Sequence, residues 1–238
     1  MTIGVESSAK RRETMAYALV IGSKNVSSWS LRPWLALVEA GIAFREIGIP
    51  LRQPQTRAEI LRYSPAGHVP ILIVEEGAQR QTIWDSLAIL EFLAETHPEA
   101  ALWPRQQQAR AHARAISAEM HAGFRDLREH CAMDLLARTP MTNLPESVAS
   151  DVRRIVQLWS VCRRRCGSAG NFLFGAFSAA DAMYAPVASR FRTYLPDLAA
   201  YGDDGTAQAY VEAVLALDGM ARWEEGARAE LAAASSNG

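Results

Sequence analysis

Strand signals stop at one place in this 238-residue chain, and that change of pattern narrows the folds open to it. Up to His97-Pro98, short apolar runs alternate with helical stripes. Beyond Trp103-Pro104, every patterned segment has helical spacing. The prolines bracket a short connector. The expected organisation is an extension over residues 1–14, an α/β unit over 15–97, a linker over 98–104 and an all-helical unit over 105–238.

The first unit reads β-α-β-α-β-β-α. Tyr17 to Gly22 is an apolar run with the look of a buried strand. Leu31, Trp34, Leu35 and Val38 fall at i, i+3, i+4 and i+7, a helix ended by Gly41. Pro33 lacks an N–H, which places the start of that helix no earlier than about Ser28 to Ser30. Phe44 to Ile49 is a second strand and Thr56 to Tyr63 a short helix. Ile71 to Val74 and Gln81 to Ile83 are strands around a Gly77 break, and a helix covers Ser86 to Thr96. In the second unit, helices are expected over Gln106 to Leu136, Glu146 to Cys166 with a stop at Gly167, Ala180 to Tyr194 and Ala207 to Trp223. A tail of small residues follows.

Composition excludes several function classes. A net charge of −1 argues against nucleic acid or an anionic membrane as the main partner. No apolar run reaches the 18 or so residues that span a bilayer. Lys10, Arg11 and Arg12 are not followed by an apolar segment, so the N-terminus does not read as a signal peptide. Three cysteines, an odd number, fit free thiols in a reducing cytoplasm. Cys162 and Cys166 share a helix face at a spacing that is neither CxxC nor a zinc half-site. His112, His121 and His130 recur every nine residues and so face alternate sides of a helix. No metal site is expected.

Three short stretches carry residue types suited to binding an anionic, peptide-like molecule. Ser27, Ser28 and Ser30 crowd a helix N-terminus, where N–H groups point outward and the dipole end is positive. One of them is equally able to serve as an ordinary N-cap. Val69-Pro70 precedes a strand, and is either an edge-strand start or a cis proline that aims the Val69 backbone at an extended ligand. Asp85-Ser86 opens a helix. Asp85 caps it, or holds an ammonium while Ser86 holds a carboxylate. A Ser-His-Asp triad finds no support, since no histidine precedes His68.

Taken in order, these stretches resemble the cytosolic glutathione transferases. Ser27-Ser28-Trp29-Ser30-Leu31-Arg32 is similar to the Ser-Ser-Cys-Ser-x-Arg signature of the zeta class, with Trp29 in the place of its cysteine. His68-Val69-Pro70 resembles the family's cis-proline turn, and Asp85-Ser86-Leu87-Ala88-Ile89 its Glu/Gln-Ser-x-Ala-Ile segment. Phe177-Ser178-Ala179-Ala180-Asp181 resembles the capping box of a core helix. The similarity runs from Tyr17 to Trp223.

The resemblance implies a thioredoxin-like first domain, a helical second domain and glutathione as co-substrate, with no metal. It places the catalytic serine at Ser27, with Ser28 as the near alternative. The γ-glutamyl grip falls on Asp85 and Ser86, the cysteinyl backbone pairing on Val69, and further glutathione contacts on Gln55 and His68. The electrophile pocket would be lined from the helix after the linker, with Met120, Phe124, Arg125 and Met133 as candidates by position. The implied activity is conjugation of glutathione to a small electrophile by a cytoplasmic homodimer. The alternatives are glutathione-dependent cis/trans isomerisation of the maleylacetoacetate type and a non-catalytic interaction module. With no cysteine before Cys131, thiol-disulfide exchange at the helix start is not expected.

Overall fold

The computed structural model describes residues 15–166, 170–195 and 197–236. The expected extension over 1–14 and the helix stop at Gly167 lie outside them.

Strand β1 (Ala16–Gly22) is central in a four-stranded sheet of order β2-β1-β3-β4. It pairs parallel with β2 (Arg45–Ile49) and antiparallel with β3 (Ile71–Glu76), which pairs antiparallel with β4 (Gln79–Trp84). A parallel neighbour needs a crossover, and helix α1 (Ser28–Glu39) supplies it. Successive strand residues face opposite ways, so β1 feeds two cores. Tyr17, Leu19 and Ile21 join the main core with α1 and α3 (Ser86–Thr96). Ala18 and Val20 join a smaller one with Ile49, Ile71, Ile73 and Ile60 of α2 (Thr56–Leu61). Gly41 takes a φ of 65° just past α1, a backbone conformation that glycine adopts without Cβ strain.

The remainder is helical: α4 (Gln107–Ala122), α5 (Arg125–His130), α6 (Glu146–Cys166), α7 (Ala179–Tyr194), α8 (Thr206–Leu215) and α9 (Asp218–Ser236). The architecture is the α/β thioredoxin-like unit followed by an all-α unit. Two expected helices divide. The segment expected over Gln106 to Leu136 breaks at Gly123, which is extended (φ −99°, ψ −166°), and at Phe124, which is left-handed (φ 55°). That corner turns α5 away from the axis of α4. The segment expected to end at Trp223 breaks at Ala216-Leu217, and α9 then runs to Ser236, so most of the expected tail is helix. Alanine-rich sequence continues a helix as readily as it makes a tail, and packing of Met220, Trp223 and Ala227 into the core decides between them.

One main core spans both units, because α1 packs on α7 as well as on the sheet. The turn between β1 and α1 is held from the helical side. Trp223 Nε1 donates to the Lys24 carbonyl (2.9 Å), Lys24 N–H donates to Glu230 (2.8 Å), and Leu135 N–H donates to the Asn25 carbonyl (3.1 Å). The Lys24 ammonium also pairs with Glu46.

Inside the helical unit, the capping box of α7 forms as expected, with Asp181 fully buried. Its carboxylate accepts from Leu173 N–H, Ser178 N–H, the Ser178 hydroxyl and the Tyr210 hydroxyl. Burial outweighs these bonds and pushes the carboxyl up to about 6. Asp181→Ala is expected to lower the unfolding free energy in urea by roughly 3 kcal/mol, since several buried donors lose their acceptor. The folded pKa lies above the unfolded value of about 3.9. The contribution of Asp181 is therefore fully present below about pH 4 and falls as pH rises through 6, so the deficit of the variant should be larger at pH 5 than at pH 7.5.

Candidate active site

Ser27 occupies the N-cap position of α1 but makes no side-chain bond to the helix's first N–H groups. Its hydroxyl pairs instead with Ser30 Oγ at 2.8 Å. Ser28 N–H donates to the Val26 carbonyl and Leu31 N–H to the Ser27 carbonyl. Among the described residues, the N–H groups of Trp29 and Ser30 find no acceptor. A helix start left uncapped in this way presents donors and the positive end of the dipole to whatever lies above it. Pro33 lies in the second turn, so the Trp29 carbonyl also lacks its i+4 donor.

A cavity of about 360 Å³ opens beside this turn. It is lined by Trp29, Ala66, His68, Val69, Pro70, Trp84, Asp85 and Ser86. The Val69-Pro70 bond is cis. Asp85 has a φ of 77°, a region that costs a non-glycine residue about 1–3 kcal/mol and that recurs where a ligand is held. Its Oδ1 accepts from Leu87 N–H (2.8 Å) and Ala88 N–H (3.4 Å), so it does cap α3. Its Oδ2 lies 3.3 Å from His121 Nε2 of α4, across the cleft between the two units.

The other expected site residues distribute unevenly. Ser27 and Ser28 are buried and are not part of the cavity wall. Gln55 precedes α2, exposed and off that wall. Met120, Phe124 and Met133 are buried core residues and are not part of the cavity wall. Arg125 is 80% exposed and pairs along its own helix with Glu129, at 2.7 Å, so it does not line the cavity.

Sequence reasoning gave no role to the arginines that do converge. The buried Arg32 guanidinium lies over Trp29, 4.3 Å from the ring centroid, and its Nη1 donates to Ser86 Oγ at 3.3 Å. Arg128 of α5 lies over the same ring at 5.6 Å and donates to the His121 carbonyl. Arg190 of α7, also buried, donates through Nε to the Cys131 carbonyl (2.9 Å) and through Nη2 to Ser28 Oγ (3.3 Å). Arg32 Nε and Arg190 Nη1 are buried with no hydrogen-bond partner among the described residues. Burial, followed by repulsion from Arg190 and Arg128, holds Arg32 down at about 9, and burial, followed by repulsion from Arg128, holds Arg190 at about 10. Asp85 is the carboxylate that opposes this on Arg32. Arg32 was legible in the serine-rich motif. Arg128 and Arg190 lie far along the chain and carry no local signal.

The cysteines stand apart. Cys131 and Cys162 are buried, and burial pushes the Cys162 thiol up to about 12. His112, His121 and His130 face Phe174, Asp85 and the Asp126 carbonyl respectively. A larger cavity of about 710 Å³, lined from Trp103, α4 and the end of α6, contains none of the residues around Asp85 or Ser27. In the native protein, a thiol reagent should modify Cys166 within minutes and spare Cys131 and Cys162 until denaturant is added. Counting released chromophore per chain checks this.

A mixed four-stranded sheet joined to a helical bundle, with a cis-proline turn and an Asp-Ser helix start beside an uncapped helix, defines a two-domain architecture of a thioredoxin-like unit and an all-helical one. The family description "Glutathione S-transferase, N-terminal domain" matches residues 26–96, and "Glutathione S-transferase, C-terminal domain" matches residues 107–229. The chain belongs to the glutathione S-transferase family. It is 35% identical over 109 residues to a probable maleylacetoacetate isomerase of Caenorhabditis elegans, a match covering 46% of this chain and 48% of that protein. It is 28% identical over 180 residues to maleylacetoacetate isomerase of Rattus norvegicus, covering 74% of this chain and 79% of that protein. Among solved structures, the maleylacetoacetate isomerase of Anaeromyxobacter dehalogenans with bound GSH superposes at a TM-score of 0.59 and 26% identity, covering 89% of this chain and 95% of that one. Among the described residues, no helix is long and apolar enough to cross a membrane.

Proposed function

We propose that this protein binds glutathione in the cleft cavity, ionises its thiol and adds the thiolate to a small electrophile. The observation that carries this reading is the single hollow bringing Val69, Asp85 and Ser86 beside an α1 N-terminus whose cap residue leaves the helix donors free. In it, Asp85 Oδ2 takes the γ-glutamyl ammonium, exchanging His121 for it. Ser86 and Arg32 take the neighbouring carboxylate, Val69 pairs with the cysteinyl backbone, and His68 faces the glycyl end. Glutathione bound to the Anaeromyxobacter relative supports the choice of ligand.

The sulfur then lies toward α1. A free thiol has a pKa of about 8.5, and lowering it by about two units takes roughly 2.7 kcal/mol. A hydrogen bond to a charged group supplies about 1.5–3 kcal/mol, and a helix N-terminus adds about 0.3–1 kcal/mol. The Ser27 hydroxyl at the start of α1 is sufficient. It acts as a donor to sulfur, not as a nucleophile, and needs no base. Trp29 lines the cavity and Ser27 does not, so in this reading the sulfur leaves the cavity beside Trp29 to reach the Ser27 hydroxyl.

Arg32, Arg128 and Arg190 favour an electrophile that carries negative charge, since an incoming carboxylate relieves their mutual repulsion. The same charge favours a second reading, glutathione-dependent isomerisation of a maleyl substrate, which the similarity to maleylacetoacetate isomerases also supports. Trp29 in place of the signature's cysteine weighs against it. A maleyl-substrate assay with and without glutathione separates the two.

Ser27→Ala is expected to raise the thiol pKa of bound glutathione by about one to two units, followed by ultraviolet thiolate absorbance against pH. An unchanged titration would remove Ser27 from the role, and a shift confined to Ser28→Ala would pass it to Ser28. Asp85→Ala should weaken glutathione binding by roughly 10- to 100-fold in calorimetry, from the loss of one charged contact. Absence of glutathione binding by the unaltered protein would leave only a non-catalytic interaction module. Chlorodinitrobenzoate should be conjugated faster than neutral chlorodinitrobenzene, by about tenfold in kcat/KM, and Arg128→Gln should erase most of that preference.

A further inference from the structure

Ser30 is fully buried, three residues past Ser27 on α1. Its oxygen accepts the N–H of Gly22, the last residue of β1, at 3.1 Å, and lies 2.8 Å from Ser27 Oγ. A hydroxyl has one proton and two acceptor positions. Gly22 fills one acceptor position from the rigid central strand. Among the described residues, Ser27 Oγ is the remaining partner of Ser30.

Two proton arrangements fit that pair. If Ser27 donates to Ser30, the Ser27 proton is used and the Ser30 proton is left in a buried place with no acceptor. If Ser30 donates to Ser27, both protons have a use: one lies between the serines, and the other is free to point at a ligand above α1. An anion over Ser27 selects the second arrangement, because in the first Ser27 has no proton to offer.

We propose that Ser30 is a positioning residue for glutathione ionisation: the chain Gly22 N–H to Ser30 hydroxyl to Ser27 hydroxyl turns the Ser27 proton toward the sulfur and strengthens it as a donor. The proposal rests on Ser27 being the thiolate donor. No proton changes owner along the chain; two hydroxyl groups rotate and three hydrogen bonds align. An oxygen that already accepts a hydrogen bond donates more strongly, by about 10–30% per bond. The Ser30 hydroxyl itself reaches neither sulfur nor electrophile, so its effect belongs to the thiol titration and not to ligand affinity.

The test compares the unaltered protein with Ser27→Ala, Ser30→Ala and Ser30→Thr. Two quantities are read for each: the thiol pKa of bound glutathione, and the affinity for S-methylglutathione, which has no thiol to ionise. Ser30→Ala should raise the thiol pKa by about half a unit to one unit, a three- to tenfold loss of thiolate at fixed pH, with S-methylglutathione affinity within about twofold. Ser30→Thr, which keeps the hydroxyl, should return the pKa toward that of the unaltered protein. If Ser30→Ala does not fold, Ser30→Cys replaces it with a weak donor of similar shape, and the same shift is expected. A Ser30→Ala or Ser30→Cys titration that overlays the unaltered protein, while Ser27→Ala is shifted, overturns the relay and leaves the role of Ser27 standing. If Ser27→Ala is also unshifted, Ser27 is not the donor and the relay falls with it. Equal losses of thiolate and of S-methylglutathione affinity in Ser30→Ala would show a packing role only.

Discussion

Burial of α1 on nearly every side is the constraint on which the rest of this molecule depends. Of its twelve residues, Ser28 and the run Ser30 to Leu37 are buried, under the sheet on one side and α7 on the other. A helix buried all round cannot shift along its axis without breaking contacts in two layers at once. Its first turn is therefore held rigidly, and Trp29 of that turn lines the cleft cavity. The polar side chains of that turn are held from both layers. Gly22 of β1 fixes Ser30, and Arg190 of α7 reaches across to Ser28. The two halves of the chain thus meet in a single helical turn, and the chemistry proposed for the protein sits there.

The charge arrangement around that turn has the same origin. Three guanidinium groups gather at the start of α1, two of them buried and each of those two with a nitrogen lacking a partner; Asp85 opposes the charge of Arg32, and Asp151 and Glu129 that of Arg128. Burying a cation without a counter-charge costs several kcal/mol. The fold can carry that cost because the core built by α1, α7 and the sheet is large. A bound tripeptide and an anionic co-substrate would bring the missing negative charge. Asp85 caps α3 and faces His121, so in the proposed binding it exchanges one partner for another and is not an idle group being filled.

Much of this was legible in the sequence. The strand and helix order of the first unit, the capping box at Ser178 and Asp181, and the Asp85-Ser86 helix start are local patterns, and local patterns are set by short-range sterics and hydrogen bonding. What failed was long or contextual. The helix expected through Leu136 breaks because Phe124 adopts a left-handed backbone, which propensity does not announce. Met120, Phe124 and Met133 lie in the core, and after the break Arg125 points into solvent, while one turn further Arg128 comes back over Trp29. Gln55 stays outside the cavity because α2 begins on the exposed edge of its loop.

The sequence by itself determined the two-part architecture, the family and the helix start around which a site could form. Apolar periodicity, proline and serine placement, and the order of four motifs act through neighbours along the chain. Tertiary structure alone decided that Ser27 pairs with Ser30 and not with its own helix end, that Trp29 rather than Ser27 walls the cavity, and that Arg190 arrives beside Ser28 from 162 residues away. Those are contacts between surfaces brought together by packing. Such contacts depend on where whole helices come to rest, a quantity that no window of residues contains.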